Sequence, residues 1–144
     1  MANNISNYVY ENIVSNADYL ESTGIDLNTE LTSLIVNDVG DNPAPRFIHG
    51  IEDWCKSYLM ERYSFDGTLE SGNQTNRFKK GVIYQIQYVL RNGNISNDSG
   101  FISSTGMIVD PRMLEKIGMA PNALREFRLG GMANLVRYWY DWYT

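Results

Sequence analysis

The chain has 144 residues, 43% hydrophobic and 20% charged, which suits one domain with a continuous core and is too apolar for a disordered polymer. A net charge of −5 and a pI of about 4.8 argue against a protein that grips nucleic acid through phosphate contacts, each of which needs a cation. The lone Cys55 excludes an internal disulfide and fits a reducing compartment, MANNISNYVYEN lacks the basic and apolar regions of a signal peptide, and no apolar run is long enough to span a membrane.

In chain order, Tyr8, Val9, Ile13, Val14, Ala17 and Leu20 recur at helical spacing and predict a helix from about Asn7 to Glu21, ended by Gly24. Leu31, Leu34, Ile35 and Val39 predict a second over Thr29–Val39, capped by Asn28 or Thr29 and closed by Gly40. Asp41-Asn42-Pro43-Ala44-Pro45 is a turn that opens a helix, since proline is tolerated in a first helical turn. A long helix is expected over Arg46–Ser64, with Phe47, Ile51, Trp54, Cys55 and Tyr58 on one face and Ile48 and Leu59 beside it. Arg62 falls near that stripe in the last turn, where a long stem packs while the cation reaches water and suits the helix dipole.

Residues 65–76 form a polar, glycine-containing loop leading to FKKGVIYQIQYVLRNG, the stretch around which the chain is organised. Phe78, Val82, Ile83, Ile86, Val89 and Leu90 fill a stripe roughly 140° wide at helical pitch, with Lys80, Gln87 and Arg91 opposite. Asn73, Thr75 and Asn76 are candidate N-caps and Gly93 the residue after the C-cap. Lys79 lies inside the stripe, with its amine expected to reach water. Tyr84 and Tyr88, four apart, give this helix a tyrosine edge for a neighbour.

Past Gly93, Asn94–Gly100 is turn-rich. Phe101-Ile102-Ser103-Ser104 and Met107-Ile108-Val109 flank Thr105-Gly106 as two short strands of a hairpin that needs helices or another subunit to lean on. Pro111 opens a short helix through Met113, Leu114 and Ile117, stopped by Gly118. Pro121 opens another through Leu124 and Phe127, stopped by Gly130-Gly131. The chain then ends in Leu135, Val136, Arg137, Tyr138, Trp139, Tyr140, Asp141, Trp142, Tyr143 and Thr144. Large aromatics with a polar end are enriched at interfaces, so this tail either folds back on its own core or docks on another chain, with the glycine pair as swivel.

His49 has no second histidine or Cys/His cluster beside it, and Cys55 sits on an apolar stripe. No GxGxxG, phosphate-loop or nucleophile–base pattern is present. No catalytic residue, cofactor or metal is expected, and an enzyme is the least favoured class.

The order of Lys80, Gly81, Gln85, Ile86, Tyr88, Leu90, Asn92 and Gly93, then Ser103, Ser104, Pro121, Leu124, Leu129 and Gly131, resembles the head–tail connector (adaptor) proteins of tailed bacteriophages over about residues 40–137. In that family a K-x-A/G-x-x-x-Q-I-E-Y-L-x-x-N-G helix precedes a Ser/Gly-rich segment and a Pro-led helix. The resemblance implies a mainly α subunit: a helical bundle at residues 1–131 with a β-hairpin insertion near 101–109, and an extended aromatic arm at 132–144. It implies a structural virion protein of the neck, assembled in the host cytoplasm, whose copies form a ring, commonly of twelve. The ring docks on the portal protein, extends the DNA channel without specific binding, and presents a surface to the next neck or tail protein. Leu135, Arg137, Tyr138, Trp139, Tyr140, Trp142 and Tyr143 would then meet the portal. Tyr84, Tyr88, Phe101, Ile102, Met107 and Ile108 would meet a sister subunit or neck protein. Two other readings stand beside it: another neck or tail-completion protein, such as a stopper or tail terminator, and a small helical binding domain outside any virus.

Overall fold

The computed structural model describes residues 11–34, 42–93 and 111–134, and these are mainly helical. Six helices follow in order: α1 (Asn16–Thr23), α2 (Leu27–Leu34), α3 (Ala44–Arg62), α4 (Gly72–Asn92), α5 (Pro111–Ile117) and α6 (Pro121–Leu129). The helical bundle expected from the sequence is therefore the fold of the described residues. The predicted hairpin at 101–109 and the aromatic residues from Leu135 onward lie outside them.

α4 is the centre: it touches α1, α3, α5 and α6, and its most extensive partner is α6. Phe78, Val82, Ile83, Ile86 and Val89 are buried along it, as the periodicity predicts, with Leu90 half-buried. Phe47, Ile48, Ile51, Trp54, Cys55 and Leu59 bring the apolar face of α3 into the same core, and Phe127 of α6 stacks obliquely on Phe78 with ring centroids 5.6 Å apart. Burial pushes the Cys55 thiol well above its usual range, with the Glu52 carboxylate adding to it, so this cysteine behaves as a small apolar core residue.

Several helix ends differ from the sequence expectation, each for a local reason. α1 does not begin near Asn7; residues 11–15 are non-helical. The carboxylate of Glu52, buried on α3, accepts the backbone N–H groups of Ile13 at 3.1 Å and Val14 at 2.8 Å, which withdraws both from helical bonding. The helix starts only where Ser15 and Asp18 form a capping box, Ser15 Oγ accepting from Asp18 N–H and Asp18 Oδ2 from Ser15 N–H. Burial alone would raise the Asp18 carboxyl. The Ser15 backbone N–H, Lys79 and the Ser15 hydroxyl together outweigh that and hold it below the usual range. Gly24, at φ 76°, ends α1 as expected.

At α2 the expected caps are displaced. Asp26 and Asn16, not Asn28 or Thr29, serve the first turn: the Asp26 carboxylate accepts from Asn28 N–H and the Thr29 hydroxyl, and Asn16 Oδ1 accepts from Leu27 N–H. Asn28 reaches across instead and accepts the Ala44 N–H at 2.8 Å, serving the start of α3. Pro43 precedes that start and Pro45 lies within its first turn, as predicted.

α4 begins at Gly72 with Ser71 as its N-cap, just ahead of the expected caps Asn73, Thr75 and Asn76. Ser71 Oγ accepts the Gln74 N–H, while Gln74 Oε1 accepts the Glu70 N–H at 2.7 Å, a reciprocal closure within what reads as loop. At the other end Gly93 is in extended rather than left-handed conformation, φ −88°. α6 ends in a Schellman motif. Gly131 is left-handed at φ 78°, its N–H bonds Arg128 C=O, and Met132 N–H bonds Phe127 C=O at 2.8 Å. Met132 and Ala133 are buried, and Asn134 C=O accepts from Ser64 N–H. The glycine pair expected as a swivel is thus a helix stop that returns the chain into the core.

Candidate interaction surface

The tightest joints of the fold are polar or glycine positions on α4. Gln85 is fully buried: its Nε2 donates to Gly118 C=O at 3.0 Å and its Oε1 accepts from Ala120 N–H at 2.8 Å. One amide therefore satisfies both backbone groups of the α5–α6 turn. Four residues earlier, Gly81 lets α6 approach until a β-carbon there would lie 2.3 Å from the Phe127 ring. A further turn back, Arg77 pairs with the buried Glu126 at 2.9 Å, and Gln74 Nε2 donates to Gly130 C=O. Sequence periodicity singled out neither Gln85 nor Glu126, because a polar residue beside an apolar stripe looks like the edge of a wet face. The spacing of Gln85, Gly81, Arg77 and Gln74 along α4 is the signal that finds them.

α3 is joined to α5 through an aromatic–cation cluster. Trp54 Nε1 donates to Glu115 Oε1 at 3.1 Å, the Arg62 guanidinium lies 3.9 Å from the Tyr58 ring centroid, and Arg62 reaches Glu115 at 3.8 Å. Arg62 is partly exposed, in keeping with a stem that packs and a cation that reaches solvent. Lys79 does not simply reach water: its amine pairs with Asp18 at 3.5 Å and ties α4 to α1. His49 is exposed, with Nδ1 donating to Asn12 Oδ1 at 3.0 Å. Among the described residues no three His, Cys, Asp or Glu side chains converge in a way that could hold a metal ion, and no helix is long and apolar enough to cross a membrane.

The concave features among the described residues are shallow. One groove of about 400 Å³ runs between α1 and α4 past Asp18, Glu21, Asn76, Lys79 and Lys80. Another, of about 330 Å³, lies where Tyr84 meets Pro121, Asn122, Arg125 and Glu126. Neither is an enclosed apolar pocket of the kind that holds a small ligand.

Of the predicted contact residues, Tyr84 is 37% exposed beside the start of α6, whereas Tyr88 is half-buried against the core. The two thus present one exposed ring rather than a continuous edge. Phe101, Ile102, Met107 and Ile108, and Leu135, Arg137, Tyr138, Trp139, Tyr140, Trp142 and Tyr143, lie outside the described residues. Among the described residues, solvent reaches four other large apolar side chains: Leu20 at 45% exposure, although its spacing puts it in the apolar register of the first helix, Leu129 at 52%, and Ile25 at 42% and Met60 at 50%, which the sequence reading passed over. No protein-family model matches the chain, and neither curated proteins nor solved structures give a match.

Proposed function

We propose that this chain is a structural virion protein of a tailed phage neck: a head–tail connector subunit whose copies form a ring on the portal, extend the DNA channel and receive the next neck or tail protein. The observation that carries this reading is the match between motif and architecture. The connector-like spacing of Gly81 and Gln85 coincides with the two points at which α4 seats the Pro-led helix α6 and the turn before it. The mainly helical body also favours a connector over a neck protein built mostly of β-structure. The surface supports a binding role: shallow grooves, the exposed Tyr84 ring and exposed aliphatic side chains suit contact with large partners. On this reading the hairpin near 101–109 meets a sister subunit or neck protein, and the arm from Leu135 to Thr144 meets the portal.

The experiment is a truncation placed after Asn134, since Met132 and Ala133 belong to the core and Asn134 holds Ser64. The shortened protein is expected to keep its helical circular dichroism and melting temperature while losing at least a hundredfold in portal affinity, the scale of several interfacial aromatics removed together. Full portal affinity in the truncated protein would overturn the arm's role.

A further inference from the structure

Charge is segregated along the chain and across the fold. Residues 11–34 carry Glu11, Asp18, Glu21, Asp26 and Glu30 and no lysine or arginine. The 21 residues of α4 carry Arg77, Lys79, Lys80 and Arg91 and no carboxylate, and α6 adds Arg125 and Arg128 against one acid, Glu126. An acidic protein thus keeps a cationic face.

The two regions lie on opposite flanks of α4. Lys79 and Ile83 face the groove shared with α1, while Gly81 and Gln85 face α6 and the turn before it. Residues two apart on a helix point about 160° away from each other, and α1 and α6 do not touch. Lys79 is neutralised by Asp18 at the seam and Arg77 by Glu126, and Lys80 lies in the groove with Asp18 and Glu21, which leaves Arg125 and Arg128 of α6 exposed on the cationic flank. Among the described residues, four of the five large exposed apolar side chains divide the same way, Leu20 and Ile25 at the acidic end and Tyr84 and Leu129 at the cationic end, while Met60 on α3 belongs to neither. Each end therefore has exposed apolar side chains beside exposed charges, carboxylates next to Leu20 and Ile25 and the Arg125 and Arg128 guanidiniums next to Tyr84 and Leu129, the anatomy of a protein-binding patch, and these charges are complementary.

We propose that copies of this chain associate head to tail, the acidic α1–α2 end of one copy seating on the cationic α4–α6 end of the next. A twofold dimer that joined unlike ends would need both ends on one face, and the two flanks of α4 face away from each other. A heterologous contact between unlike ends needs no such shared face, and repeats until it closes as a ring. The inference deepens the connector reading and rests on it only for closure; the pairing of ends stands on charge and exposure alone.

Sedimentation velocity of the full chain tests it, with two variants: Glu11→Lys/Glu21→Lys/Glu30→Lys, which turns residues 11–34 from −5 to +1, and Arg125→Glu/Arg128→Glu, which turns the exposed pair on α6 from +2 to −2. The wild-type chain is expected to associate at low salt and to weaken at least tenfold toward 1 M salt, where screening acts within about 3 Å. Each variant alone, shown folded by its melting curve, is expected to stay monomeric, because its two ends carry the same sign. An equal mixture is expected to regain wild-type association, since every contact then joins unlike ends. Association that survives either reversal, or a mixture of folded variants that stays monomeric, overturns the pairing. So does a monomeric wild type that binds duplex DNA in a parallel titration, which would make the cationic end a polyanion site. Salt-indifferent rings in both variants would remove the pairing and leave the connector reading standing. A wild-type chain that remains monomeric even on portals would remove both.

Discussion

Gly81→Ala is expected to destabilise the protein by about 2–3 kcal/mol, although the change raises helix propensity by about 1 kcal/mol. The sign follows from geometry. The new methyl would sit 2.3 Å from Phe127 Cε1 and 2.6 Å from Cζ, and the ring cannot retreat because it is fully buried with Phe78 beside it. Either α6 moves off α4 or the ring leaves its rotamer, and both loosen the most extensive helix pair in the fold. Denaturant unfolding measures the loss. Pairing the change with Phe127→Leu is expected to give less than the sum of the two single losses, since the smaller side chain vacates the space the methyl needs. A stabilised Gly81→Ala protein would mean that α4 and α6 do not approach this closely.

The second large effect is expected at Gln85. Gln85→Leu keeps the volume roughly but leaves Gly118 C=O and Ala120 N–H without their partner, at about 1–3 kcal/mol for each buried group, offset in part by the added apolar contact. A net loss of about 3 kcal/mol is expected, expressed first as loosening of α5 and α6 in hydrogen exchange. Gln85→Glu separates hydrogen bonding from shape. At neutral pH its carboxylate would turn an acceptor toward Gly118 C=O in a buried site, and the variant is expected to be at least as unstable as Gln85→Leu. Protonated, the same group can donate to Gly118 and accept from Ala120, as the amide does. Burial raises the pKa of such a carboxyl in the folded state, so folding takes up a proton and the variant gains stability as pH falls through that raised pKa. Loss of stability on acidification, relative to wild type, would contradict the amide's role.

Much of the helical frame was legible in the sequence because its signals are local. α3 and the core face of α4 follow from apolar spacing, α5 and α6 from prolines that open them, and their ends from Gly118 and the Gly130–Gly131 pair. What was not legible depends on residues far apart in sequence. Glu52 stops the helix that the spacing of Tyr8 to Leu20 suggests, from nearly forty residues away. Asn28 serves α3 rather than α2, and Gln85 takes a core position because a turn more than thirty residues later needs one donor and one acceptor. Ser71 and Gln74 were a local signal, S-x-x-Q, hidden by a glycine and two asparagines that read as loop. Of the candidate contact residues only Tyr84 and Tyr88 fall within the described structure, and helical spacing alone did not foresee that Tyr88 would lean into the core. Charge order along the chain was visible throughout; that α4 separates the acidic from the cationic end required the fold.

As a connector subunit, this chain is proposed to work as one copy among many, mounted on a portal. Electron microscopy of the purified chain mixed with portal-bearing capsid vertices tests it most directly. Added density is expected at the vertex, in the form of a closed ring of copies coaxial with the portal channel. Bare vertices, with the protein dispersed as single copies or twofold dimers at every concentration tried, would contradict it.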